Sequence, residues 1–166
     1  MKTNIGLFLK KRAEICPNRE AFVEFERNRR FTFAQLNERS NRVANGLLAQ
    51  GIKPGDRVAA LLKNSIEFVE TYFAVAKIGA VMVPINWRLV AGEIAYILRD
   101  SGSRVLVCDS EFDAAVSAAL SAAHGETAIE LCLRRQNGED PAPDNAQDYV
   151  VQDYDAFVAN YDTSEP

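Results

Sequence analysis

The sequence offers few residues whose types and spacing fit familiar chemistry. Its single histidine, His124, lies in the stretch His124-Gly125-Glu126-Thr127, away from any serine or cysteine at nucleophile spacing. One imidazole cannot complete a metal site either, so His124 is expected to be a solvent-exposed loop residue. Glu67 and Glu70 stand at i, i+3, where two carboxylates could divide acid and base roles, but acids also collect in a first helical turn because the helix dipole favours them there. The dipole is the expected reason. Cys16, Cys108 and Cys132 are an odd number, separated by 92 and 24 residues. That spacing fits neither a disulfide framework nor a zinc site and predicts reduced, packed thiols. Asp109 follows an apolar run, as the ribose-binding acid of a dinucleotide fold would. Neither G-x-G-x-x-G nor G-x-x-x-x-G-K-[ST] occurs, so there is no nucleotide phosphate loop, and Asp109 is expected to cap a helix.

The elements that must position such residues alternate. Ile5, Phe8, Leu9 and Arg12 recur at helical intervals until Cys16-Pro17, and the runs 21–25 and 30–33 around Glu26-Arg27-Asn28-Arg29 predict a hairpin outside the main sheet. Thr32-Phe33-Ala34-Gln35 has the capping-box form, and the helix it opens ends at Gly51. Apolar runs at 58–62, 80–84, 104–108 and 128–133 then alternate with helices near 65–78, 91–100 and 111–123. This rhythm predicts an α/β fold with a doubly wound, mostly parallel sheet, because parallel neighbours need helical crossovers. The expected organisation is an α/β subdomain over 1–135, an acidic loop at 136–148, and a final strand and helix at 149–166. Ligands of such sheets bind beyond the carboxyl ends of the strands, which points to Lys63-Asn64-Ser65, to Pro84-Ile85-Asn86-Trp87-Arg88 and to Asp109-Ser110.

Length and composition agree with one soluble globular unit: 166 residues, 48% hydrophobic and 25% charged, which excludes wholesale disorder. The net charge of −4 argues against a nucleic-acid partner, although residues 1–57 carry twelve basic and six acidic groups and residues 136–166 carry eight acids and no base. The most hydrophobic helix contains Glu67, Glu70 and Lys77. No transmembrane segment or export signal is expected, and the expected compartment is the cytoplasm.

Three segments together resemble a known family. They are Phe31-Thr32-Phe33-Ala34-Gln35-Leu36, Asn64-Ser65-Ile66-Glu67-Phe68, and the run from Ala74 through Lys77-Ile78-Gly79 and Pro84-Ile85-Asn86-Trp87-Arg88-Leu89. With Glu93 to Gly102 following at the right spacing, they resemble the N-terminal region of acyl-CoA synthetases, members of the adenylate-forming superfamily. The threonine, the Lys-Ile-Gly helix end and the proline have structural meanings of their own, so the resemblance brings no catalytic residue into this chain.

The resemblance implies an N-terminal part of an ATP-dependent carboxylate:CoA ligase. In that family a carboxylic acid is activated by ATP as an acyl-adenylate, and the thiol of CoA then displaces AMP. ATP and Mg²⁺ sites are expected downstream of this chain, which is expected to be inactive in isolation. In some acyl- and aryl-CoA ligases the arginine of the Pro-x-Asn-x-Arg-Leu stretch lies near the CoA phosphates, which implies that role for Arg88; a local cap or pairing is the alternative. Trp87 replaces the family's common proline and is expected to pack, with ligand stacking as the other use of a rim tryptophan. A non-catalytic α/β binding or dimerisation module derived from such a ligase, or a small nucleotide-binding regulator, are the alternatives of different class. The isolated chain is expected to self-associate through apolar surface or a strand edge.

Overall fold

A computed structural model describes residues 4–25, 27–136 and 149–166, so the expected acidic loop at 136–148 falls, apart from Gln136, outside the described residues. The chain forms two compact units: Met1–Gly55 with Asn64–Ala80 and Val158–Pro166, and Asp56–Lys63 with Val81–Phe157.

In the first unit, α1 (Gly6–Ile15) precedes an antiparallel hairpin of β1 (Glu20–Glu24) and β2 (Arg29–Thr32), which is a sheet of its own. The capping box forms as expected. Thr32 Oγ1 accepts from the Gln35 N–H at 3.3 Å and Gln35 Oε1 accepts from the Thr32 N–H at 2.9 Å, which fixes the start of α2 (Phe33–Ala49). Ser65 caps α3 (Ile66–Lys77) by accepting from the Phe68 N–H. Leu9, Leu36 and Ile66 form the buried centre of this unit, with Phe22, Phe31, Phe33 and Phe73 packed around them. Gly6 lets α1 approach α3 backbone to backbone, since a Cβ there would lie 2.6 Å from the Lys77 backbone.

The second unit is built on a five-stranded parallel sheet in the order β4 (Val81–Pro84), β3 (Arg57–Leu61), β5 (Val105–Asp109), β6 (Leu131–Arg135) and β7 (Val150–Asp153). The helices α4 (Ala91–Ser101) and α5 (Asp113–Ala122) belong to this unit, and α6 (Tyr154–Ala159) follows β7. Ile94, Leu98, Val116, Ala119 and Leu120 of the helices bury with Leu61, Leu106 and Cys132 of the strands. Gly102 ends α4 in the left-handed region at φ 57°, and Arg57 donates to the carbonyls of Ser101 and Gly102 at 2.6 and 3.0 Å. The guanidinium thus meets carbonyls that the helix leaves without partners.

One strand departs from expectation. The apolar run at 128–133 predicts a strand that starts at Ala128, whereas β6 starts at Leu131, opposite Val105, and runs on through Arg134 and Arg135. Both arginines are buried in the strand, each against a carboxylate: Arg134 with Asp113 at 2.6 Å and Arg135 with Asp109. Strand ends rich in charge read as surface in a sequence, but pairing and the ladder hydrogen bonds carry this one into the interior.

Candidate functional site

The sheet order creates a switch point. The chain leaving β3 returns to the sheet as β4, and the chain leaving β5 returns on the other side as β6, so connections diverge at the carboxyl ends of the adjacent strands β3 and β5. A crevice at such a point is where doubly wound sheets take ligands.

Five side chains gather there. Lys63, just past β3, places Nζ 2.6 and 2.9 Å from the two carboxylate oxygens of Glu111, just past β5. The same Nζ lies 5.3 Å from the centroid of the Trp87 ring and 6.0 Å from that of Phe112. Trp87 and Phe112 are stacked, with centroids 6.4 Å apart and planes 23° from parallel. The Arg88 guanidinium lies 4.7 Å from the Trp87 centroid. Cations at these distances are attracted to the ring faces while staying open to solvent.

The local sequence explains the placement. The Ile85 N–H donates to the Ala60 carbonyl, continuing the β4–β3 pairing past Pro84, which cannot donate. Asn86 Oδ1 then accepts from the Arg88 N–H at 3.0 Å, and the Asn86 carbonyl accepts from Leu89. This asparagine-initiated turn projects Trp87 and Arg88 beyond the strand. Arg88 is exposed and, among the described residues, makes no ion pair. Trp87 packs on Phe112, as expected of it, and stays 40% exposed.

His124 is exposed, as expected. Glu67 and Glu70 are fully buried and point to separate partners, Arg29 at 2.9 Å and Arg39 respectively. Both guanidiniums also lie 5.8 Å from the Phe31 centroid. The dipole argument therefore accounts for little here, because each carboxylate is held by its own arginine. Asp109 does not cap the turn that follows it; its carboxylate goes to Arg135 instead. Cys16, Cys108 and Cys132 are free, and the sulfurs of Cys108 and Cys132 lie 3.5 Å apart. The hydrogen bond to Cys132, followed by burial, pushes the Cys108 thiol well above its ordinary range, which leaves it unreactive. The sequence reading missed Lys63 as a partner of Trp87, since only the strand order brings residues 63, 87 and 111 together.

Two cations and one carboxylate therefore gather around the Trp87 ring at this switch point. Among the described residues no group of three or more metal-ligating His, Cys, Asp or Glu side chains occurs. No helix of the described residues is long and apolar enough to cross a membrane.

The chain is similar to several known proteins. It is 50% identical over 104 residues to the long-chain-fatty-acid–CoA ligase FadD13 of Mycobacterium tuberculosis, covering 63% of this chain and 21% of that protein. It is 48% identical over 103 residues to the fatty acid–[acyl-carrier-protein] ligase ScoC of Streptomyces coeruleorubidus, covering 62% and 20%. The crystal structure of the N-terminal domain of FACL13 from Mycobacterium tuberculosis superposes with a TM-score of 0.79 at 36% identity, covering 99% of this chain and 38% of that one. The chain therefore spans about a fifth of the length of the curated relatives it matches. The model of the family described as AMP-binding enzyme matches residues 9–164, through the hairpin, the capped helices and the whole described sheet, and the chain belongs to that family.

Proposed function

We propose that this chain is the N-terminal α/β part of an ATP-dependent carboxylate:CoA ligase. In the reaction a carboxylate oxygen of the acid attacks the α-phosphorus of ATP and releases pyrophosphate. The thiol of CoA then attacks the acyl carbon, loses its proton and expels AMP. The family match across residues 9–164 carries this reading, supported by relatives that are themselves acid–thiol ligases. ATP and Mg²⁺ are assigned to residues outside this chain, because the chain has no glycine-rich phosphate loop. Arg88 is assigned to the CoA phosphates. The free cysteines are in keeping with a cytoplasmic, reducing setting.

Alone, the 166 residues are expected to form no acyl-adenylate. The test is carboxylate-dependent ATP–pyrophosphate exchange, measured for this chain and for the protein carrying whatever coding sequence follows codon 166. Exchange by the longer protein with a fatty or aromatic acid, and none by the chain, is the expected result. Exchange by the chain itself would overturn the division of labour, and none by the longer protein would favour a non-catalytic module.

A further inference from the structure

Helix α1 is apolar on two sides. Gly6 and Leu9 face inward, where the helix packs on α2 and α3, and Leu9 joins the buried centre of that unit. On the other side Leu7, Phe8 and Ile15 are 47%, 57% and 64% exposed. A helix with apolar side chains all round is one that something covers on every side. The cover must also accept charge, because Lys10, Lys11 and Arg12 stand between Phe8 and Ile15, and Lys11 and Arg12 are exposed with them. Among the described residues none of the three cations makes an ion pair; the Arg12 guanidinium lies 5.2 Å from the Phe33 centroid. Glu14 is the one acid of the helix.

The boundary of an anionic bilayer meets both requirements. Apolar side chains enter its acyl layer, while the stems of lysine and arginine carry their charges back to the phosphates. A protein interior would have to supply a counter-charge for each cation. A second copy is disfavoured as well. Lys11 lies one helical turn from Leu7 and from Ile15, so two α1 helices paired antiparallel through this face would set Lys11 against Lys11. Ten residues with three cations are too short and too charged to cross a bilayer, so the helix would lie in its surface.

We propose that the outward face of α1 is a docking surface for an anionic lipid bilayer, with Leu7, Phe8 and Ile15 in the acyl boundary and Lys11 and Arg12, flanked by Lys10, at the headgroup phosphates. The contact is reversible and weakens with salt, because it joins a small apolar area to screened charge.

The test is flotation of the 166-residue chain with vesicles of phosphatidylcholine, alone or equimolar with phosphatidylglycerol. Binding to the anionic vesicles and not to the neutral ones, falling as salt is raised, is the expected result. Lys11→Gln together with Arg12→Gln should weaken it about tenfold or more, and Phe8→Ser roughly tenfold. Tyr96→Ser removes a ring of similar exposure from α4 and should leave binding unchanged. Trp87 is the one tryptophan of the chain, so Phe8→Trp in a Trp87→Phe background puts a single reporter on α1. Its emission should shift to the blue and be quenched by brominated lipid on the anionic vesicles only. No binding to those vesicles, binding unchanged in either α1 variant or equally lost in Tyr96→Ser, or an unquenched reporter would overturn the docking surface. Vesicle binding by the chain that the longer protein lacks would also overturn it, since the face would then be covered from within the polypeptide. Self-association without lipid that Phe8→Ser abolishes would give the face to a second copy instead.

Discussion

Lys77 and Glu165, 88 residues apart in the chain, form a hydrogen-bonded ion pair in which Nζ lies 2.7 and 2.9 Å from the two carboxylate oxygens. The lysine side chain is only 2% exposed, at the end of α3, and Asn37 of α2 donates to the same carboxylate at 3.1 Å and accepts from Lys77 at 3.0 Å. The pair is the last in a row of contacts that hold the C-terminal segment along α2. Asn41 donates to the Thr163 carbonyl, Asn45 to those of Asp162 and Ser164, and Arg42 to those of Ala159 and Tyr161. Asn37, Asn41 and Asn45 recur every four residues, which lines their amides along one face of the helix.

This clamp makes stability depend on pH in a defined direction. Burial pushes the Glu165 carboxyl up, but the hydrogen bonds and charge of Lys77, helped by Asn37, outweigh it and hold Glu165 below its ordinary value. A carboxyl held low in the folded state contributes stability that is present above its unfolded value and is lost as the pH falls through its folded value. Urea melts between about pH 6 and about pH 3 should show this loss in the wild type and a flatter acid limb in Glu165→Gln. At neutral pH, Glu165→Ala should cost about 1.5 to 3 kcal/mol, since it leaves the buried ammonium without its counter-ion. An unchanged acid limb in Glu165→Gln would show that the pair adds nothing.

Arg135 and Asp109 are both buried, so removal of one leaves a desolvated charge. Asp109→Ala should lower stability by about 3 to 5 kcal/mol, and the double variant Asp109→Leu with Arg135→Met by less than that single change. Chemical denaturation of the single and double variants decides it. A double variant no better than the single one would mean the pair contributes through shape rather than charge.

On the proposed ligase reading, Arg88→Ala in the longer protein should raise the apparent KM for CoA about tenfold or more and leave pyrophosphate exchange nearly unchanged, because only the second half-reaction would meet CoA. Equal KM values in wild type and variant would assign Arg88 to the turn after β4.

Self-association should be visible in the isolated chain. Among the described residues, β4 and β7 each pair on one side, and they expose Val81 and Val150, 47% and 56% respectively. An open, apolar strand edge is a template for a second copy. Sedimentation velocity across a concentration series should show dimers or larger species, and Val81→Lys or Val150→Lys should reduce them. A wild-type monomer at high concentration and high salt would mean that the edges are covered.

The sequence alone determined what depends on neighbours in the chain. The capping box of Thr32 and Gln35, the left-handed glycines Gly51, Gly79 and Gly102, and the alternation of apolar runs with amphipathic stretches are local signals, and the elements formed where they point. Their alternation also implied parallel strands, because the crossover between parallel neighbours must be long. Only the tertiary structure decided where charge could be buried. Glu67, Glu70, Arg134 and Arg135 are buried because partners 21 to 38 positions away reach them. A charge enters the interior when a counter-charge arrives with it, and that meeting is a property of the fold rather than of either segment. The cluster around Trp87 follows the same rule. Lys63, Trp87 and Glu111 each end or follow a different strand, and they meet because the order β4-β3-β5 sets those strands side by side.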